Sequence, residues 1–115
     1  MDPFRRSAEL LKVMAHPKRL RLLAALRGGE ECVCHLTALL GQRQPYVSQQ
    51  LSYLRDAGLI RDRKEGLRVY YSIREPQVYE LLDQVAHLSG SADGLRERKA
   101  KRALHACGCP HCAAN

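Results

Sequence analysis

The sequence predicts a mainly α-helical domain carrying one small antiparallel β-hairpin, and three observations predict it. Apolar residues recur at helical spacing through most of the first 90 positions. The period switches to alternation after Gly58. Residues 44–59, QPYVSQQLSYLRDAGL, form an amphipathic helix with a polar face left over. In that stretch Pro45 suits the first helical turn, Val47, Leu51 and Leu54 define a buried stripe, and Gly58 closes the helix. Gln44, Tyr46, Ser48, Gln49, Gln50, Ser52 and Arg55 are left for the other face, where their side chains can donate and accept hydrogen bonds.

Earlier in the chain, Phe4, Ala8, Leu11 and Met14 share one helical stripe, which stops near His16 because Pro17 disfavours a helical residue before it. Pro17 opens a second helix with Leu20, Leu22, Leu23 and Leu26 as its apolar face, ended by Gly28 and Gly29. Arg19 and Arg21 project away from that face. Val33, Leu36, Leu39 and Leu40 predict a short third helix over residues 32–40, followed by a turn at Gly41. A short helix, a tight turn and a helix with an exposed polar face is the helix-turn-helix plan, whose second helix enters the DNA major groove. Gln suits adenine there and Ser suits several bases.

After Gly58, Val69, Tyr71 and Ile73 are expected to point one way and Arg68, Tyr70 and Ser72 the other, with Glu65 and Gly66 turning the chain back from residues 59–64. This two-stranded hairpin is a wing, and it completes a winged helix-turn-helix. Arg61, Arg63, Lys64 and Arg68 outnumber Asp62 and Glu65 on it, so Lys64 and Arg68 are candidate phosphate contacts. Pro76 starts a last helix with Val78, Leu81, Leu82, Val85 and Leu88 on one face, more than one small core needs.

The boundaries follow from composition. Residues 1–90 form the DNA-binding and dimerisation domain. From 91 to 115 runs a tail in which SGSADG is a link, LRERKAKRALHA sets five basic residues against one acidic, and CGCPHC closes the chain. A net charge of +7 over 115 residues favours an extended polyanion as partner. The first residues carry no apolar run of the signal-peptide kind, and no stretch approaches the roughly 20 apolar residues a bilayer requires, so the expected location is the cytoplasm, without membrane contact. Five cysteines in two clusters fit metal or redox chemistry in a reduced compartment better than a disulfide framework.

Three segments, AHPKRLRLL, ECVCHL, and QPYVSQQLSYLRDAGLI followed by GLRVYYSI, stand in order at a spacing that closely resembles the ArsR/SmtB family of metal-responsive winged-helix repressors. The resemblance runs from about Leu10 to Ile73 and into the next helix. It implies a homodimer, held by the first and last helices, that represses transcription from an inverted repeat in double-stranded operator DNA and lets go when metal binds. Tyr46 stands where many members carry a small Thr or Ser, so base preference does not transfer. Some members bind zinc across their last helices through paired Asp and His. Here Asp83 and His87 stand four apart with no second His-rich match, and His87 reads instead as a surface or interface histidine.

Cys32-Val33-Cys34 resembles the thiolate motif that arsenic, cadmium and lead sensors of this family place before the recognition helix. Side chains at i and i+2 of a helix diverge by about 200°, so joint ligation is expected to need a distorted or unwound first turn. That deformation would displace the recognition helix and serve as the switch. Some arsenic-responsive members add a cysteine one turn later, where this chain has Thr37; the third thiolate is then expected from Cys107, Cys109 or Cys112. Soft thiolates select As(III), Sb(III), Cd(II) or Pb(II) as inducer, and with His105 or His111 a Zn(II) site is the alternative. Oxidation of the cysteines is a further route to release. Cys109-Pro110-His111-Cys112 has the spacing of a thiol oxidoreductase but lacks a preceding strand and a following helix, which argues against that enzyme, and the helix-turn-helix and wing argue against a thiol-based metal carrier.

Overall fold

The computed structural model describes residues 2–91 and residue 95. Helix α1 (Pro3–Met14) starts where the Asp2 carboxylate accepts the Phe4 N–H at 2.9 Å and Pro3 needs no partner for its nitrogen. Its end at Met14 comes as expected. The His16 ring caps α2 (Pro17–Ala25), its Nδ1 accepting the Lys18 N–H at 3.2 Å. A single 3-10 turn, Leu26–Gly28, then leads into a two-residue strand, β1 (Glu31–Cys32). Helix α3 (Val33–Leu40) closes on Gly41, whose φ of 63° is the left-handed conformation that suits a residue without Cβ. After it come α4 (Gln44–Asp56), β2 (Ile60–Glu65), β3 (Arg68–Ile73) and α5 (Val78–Leu88).

Helices α2, α3 and α4 enclose the core. Leu22, Leu23, Leu36, Val47, Leu51 and Leu54 have no exposed surface, and Leu26 and Ile60 almost none. Each such side chain stabilises the fold by about 1.5–3 kcal/mol relative to leaving it in water. Arg21 reaches from α2 to the Leu39 carbonyl at 3.2 Å, supplying a donor to the last turn of α3, where helix carbonyls lack intrahelical partners. No helix among the described residues is long and apolar enough to cross a membrane.

The sheet departs from the expected hairpin. It has three antiparallel strands in the order β1-β3-β2, with Cys32 opposite Tyr70 and Tyr70 opposite Arg63. Cys32 therefore belongs to a strand and caps α3 from outside, rather than opening that helix. The added strand also explains why Tyr70 is only 4% exposed: β1 lies on one side of it and the Arg63 guanidinium covers its ring at 4.7 Å.

Apolar surface remains on the two outer helices. Phe4, Leu10 and Leu11 of α1 and Leu81, Val85 and Leu88 of α5 are exposed, whereas Val78, Leu82 and Ala86 of α5 turn into the core. Helix α5 is pinned to the rest by Tyr79, whose hydroxyl donates to the Leu23 carbonyl at 2.8 Å, and by a two-pronged Arg27–Asp83 pair at 2.7 and 2.8 Å. Arg27 also stacks on the Tyr79 ring.

Candidate functional site

The turn at Gly41 presents α4 with Val47, Leu51 and Leu54 inward, so the opposite face is offered to a partner. Gln44 and Gln49 are exposed there, and Tyr46, Ser48 and Ser52 are half-buried, Tyr46 packing in part against the core. Ser52 donates its hydroxyl to the Ser48 carbonyl at 2.9 Å and keeps its acceptor lone pairs. Gln49 donates one amide hydrogen to the Tyr53 hydroxyl at 2.9 Å and retains a second donor and its carbonyl oxygen. Gln50, assigned to this face from sequence, is instead buried: its Oε1 accepts from Arg19 Nε at 2.8 Å.

Arg19 is the positioning residue that sequence reasoning missed. Besides Gln50 it bonds the Val13 carbonyl of α1 at 2.9 Å and lies 4.5 Å from the centre of the Tyr53 ring, so one guanidinium ties α1, α2 and α4 together. The signal was an arginine set among leucines on a core helix.

On the wing, Lys64 and Arg68 stand on opposite faces, because Lys64 pairs with Val69 and Arg68 with Glu65 in neighbouring positions of the ladder. Lys64 shares its face with Asp62, which accepts from Arg55 of α4 at 3.1 Å, so that face is the one beside the polar helix. Both cations are exposed. Arg63 differs: it binds Glu30 through two nitrogens at 2.7 and 3.0 Å and Glu65 at 2.8 Å, and those carboxylates hold its guanidinium above the usual arginine range.

Cys32 and Cys34 are brought together, their Cα atoms 5.3 Å apart and their sulfurs joined in a disulfide. The expected unwinding is not needed. Cys32 has extended backbone (φ −77°, ψ 156°), which folds its side chain back over the first turn of α3, where its sulfur accepts the His35 N–H at 3.3 Å. The expected free dithiolate is thus present in oxidised form, and two electrons and two protons convert it to the dithiol. His35 beside the pair is buried, with Nδ1 unpartnered and Nε2 3.6 Å from Glu31. Among the described residues no three His, Cys, Asp or Glu side chains are grouped to hold a metal ion. Cys107, Cys109 and Cys112 lie outside the described residues. Asp83, half of the interhelical zinc pattern, has its carboxylate occupied by Arg27.

The profile described as bacterial regulatory protein, arsR family, matches residues 16–62, from the cap of α2 to the first half of β2. A transcriptional repressor SmtB homolog from Synechocystis is 40% identical over 79% of this chain and 70% of its own length. The chain belongs to the ArsR/SmtB family. An arsenic resistance transcriptional regulator from Pseudomonas putida is 40% identical, over 76% of this chain and 67% of its own. The homodimeric winged helix-turn-helix DNA-binding domain of a possible ArsR-family regulator from Mycobacterium bovis superposes with a TM-score of 0.67 at 30% identity, covering 76% of this chain and 81% of that one. This ArsR/SmtB protein is a winged helix-turn-helix transcriptional regulator and not an enzyme.

Proposed function

We propose that the protein is a homodimeric repressor that binds an inverted-repeat operator in the cytoplasm and is released by a thiophilic ion held by Cys32 and Cys34. The convergence of those two sulfurs at the cap of α3 supports this reading most strongly, since α3 is the helix against which α4 is set. Gln44, Ser48, Gln49 and Ser52 read base edges, with Tyr46 at the helix start. Lys64 and Arg68 straddle a phosphate backbone. The exposed stripes of α1 and α5 meet their counterparts across the dyad, which sets two α4 helices at the spacing a palindrome demands.

Reduced, the pair supplies two thiolates, and one of Cys107, Cys109 and Cys112 supplies the third that As(III) or Sb(III) requires in a trigonal pyramid. Cd(II) and Pb(II) suit the same sulfur set. The arsenic-resistance relative favours As(III). A gel shift of the reduced protein on an inverted-repeat operator, with and without arsenite or Cd(II), tests this: release is expected, and unchanged affinity with either ion sinks it. The disulfide between Cys32 and Cys34 favours a second reading, release by oxidation of the dithiol, which the same assay distinguishes by replacing the ion with peroxide and restoring binding with a dithiol reductant.

A further inference from the structure

Cys32 sits at one end of a row of side chains that crosses the whole sheet. The register sets Cys32 of β1, Tyr70 of β3 and Arg63 of β2 directly opposite one another, and paired residues share a face. Arg63 then reaches back over the Tyr70 ring, 4.7 Å from its centre, to grip Glu30, the residue just before β1, with two hydrogen bonds. The outer strands are therefore clamped to each other across the middle one. The clamp spans two inter-strand spacings, roughly 10 Å, and its wing end lies two residues from the tip of β2.

We infer that Arg63, through Glu30 and Tyr70, is the positioning residue that couples the state of Cys32 to the wing. The inference rests on the reading of Cys32 and Cys34 as the inducer's ligands. Strand β1 is only two residues long, and Cys32 is one of them. It is also the cap of α3, so once reduced it cannot turn its sulfur toward a new ligand without disturbing the cap or the strand. So short a strand is held to the sheet by the ladder to β3 and by the clamp at Glu30. A shift of Cys32 thus passes to Arg63, and Lys64, next along β2, moves with it. A fork-shaped guanidinium is needed, because a point charge cannot hold Glu30 and Glu65 together over a ring.

The test compares operator affinity with and without Cd(II) for the reduced full-length wild type, Glu30→Gln and Arg63→Lys, with Cd–thiolate absorbance recorded on the same samples. In the wild type, Cd(II) is expected to weaken DNA binding by about 5- to 150-fold, and in both variants by under about threefold, with absorbance retained. Glu30→Gln alone is also expected to keep the wild-type affinity for DNA in the absence of metal. Hydrogen exchange at the amides of β2 should respond to Cd(II) in the wild type and not in Glu30→Gln. Wild-type-like release by variants that still show the absorbance overturns the coupling alone. A wild type whose Cd–thiolate absorbance is no greater than that of Cys32→Ser overturns the ligand reading, and the coupling with it.

Discussion

Arg19 and Gln50 are joined by a 2.8 Å hydrogen bond from guanidinium to amide, and this bond ties α4 to α2. The guanidinium is half-buried and Gln50 is 6% exposed, so neither partner can be replaced by water at little cost. Arg19→Ala strands the Gln50 carbonyl and should cost about 1–3 kcal/mol, read from the midpoint of denaturant unfolding. Arg19→Lys should recover only part of this, because an ammonium cannot serve Val13, Gln50 and the Tyr53 ring from one plane. An unchanged midpoint in Arg19→Ala would show that α4 is seated by its leucines alone.

The DNA contacts separate into two kinds. Gln49→Ala or Ser48→Ala should narrow the gap between operator and random DNA, each lost base contact costing about 1–3 kcal/mol. Lys64→Ala and Arg68→Ala should weaken binding to both DNAs alike and lower the slope of log affinity against log salt by about 0.9 each. Fluorescence titrations at several salt concentrations measure both effects. Loss of specificity from the wing changes, with none from α4, would mean that the docking face had been assigned to the wrong element.

The dimer prediction changes once burial is known. From sequence, a charge at Leu82 on the last helix is expected to give monomers and abolish operator binding. In the structure it is 3% exposed within the monomer's own core, so charging it would unfold the chain before it separated two chains. Val85, 40% exposed on the outer stripe, is the better probe. Val85→Glu should sediment as a folded monomer and lose the operator, since a dyad-symmetric site is read by two α4 helices at once. A variant that remains a dimer places the interface elsewhere.

Much of this was legible in the residues because the signals were local. Pro17, Gly41 and Gly58 mark helix ends whatever packs around them, and the spacing of Val47, Leu51 and Leu54 fixes which side of α4 is buried. The misses share a cause. Strand β1 has two residues, too few to show alternation, and exists only because Tyr70 and Tyr71 offer it an edge. Without that strand, neither the burial of Tyr70 nor the extended backbone that lets Cys32 meet Cys34 without unwinding α3 could be foreseen. Gln50 looks like any polar helix residue until Arg19 arrives from 31 positions away.

Tyr79 makes stability depend on pH. Burial pushes its hydroxyl up to about 12, with the nearby Arg27 pulling the other way. The folded chain therefore keeps the phenol proton when the unfolded chain, near the ordinary value of about 10, has begun to lose it. This contribution is complete below about pH 10 and is lost as pH rises toward 12. Tyr79→Phe should lower stability at neutral pH by about 0.5–1.5 kcal/mol, the net worth of its bond to Leu23, and should flatten the decline of the unfolding midpoint above pH 10. An equally steep decline in Tyr79→Phe would assign it to other groups.

The thiol pair gives the last prediction, which turns on the number of sulfurs. Two are placed by the fold within one turn, and Thr37, whose hydroxyl donates to the Val33 carbonyl at 2.7 Å, cannot provide a third. The 17 residues of 90–106 could span up to roughly 3.3 Å each, ample for a tail cysteine to reach Cys32 and Cys34 of its own or the partner subunit. Cys32→Ser and Cys34→Ser should therefore keep operator binding and lose release by arsenite, because each removes a ligand and leaves α4 in place. Serine can also cap α3 in the Cys32 variant, so the helix need not fray. Truncation before Cys107 should weaken the response for the same reason. An arrangement with all three donors in the tail predicts the reverse pattern. If the double Cys32→Ser/Cys34→Ser variant still bound arsenite with full affinity and released DNA normally, the sensor would lie wholly in the tail. The disulfide would then have only a structural or redox role.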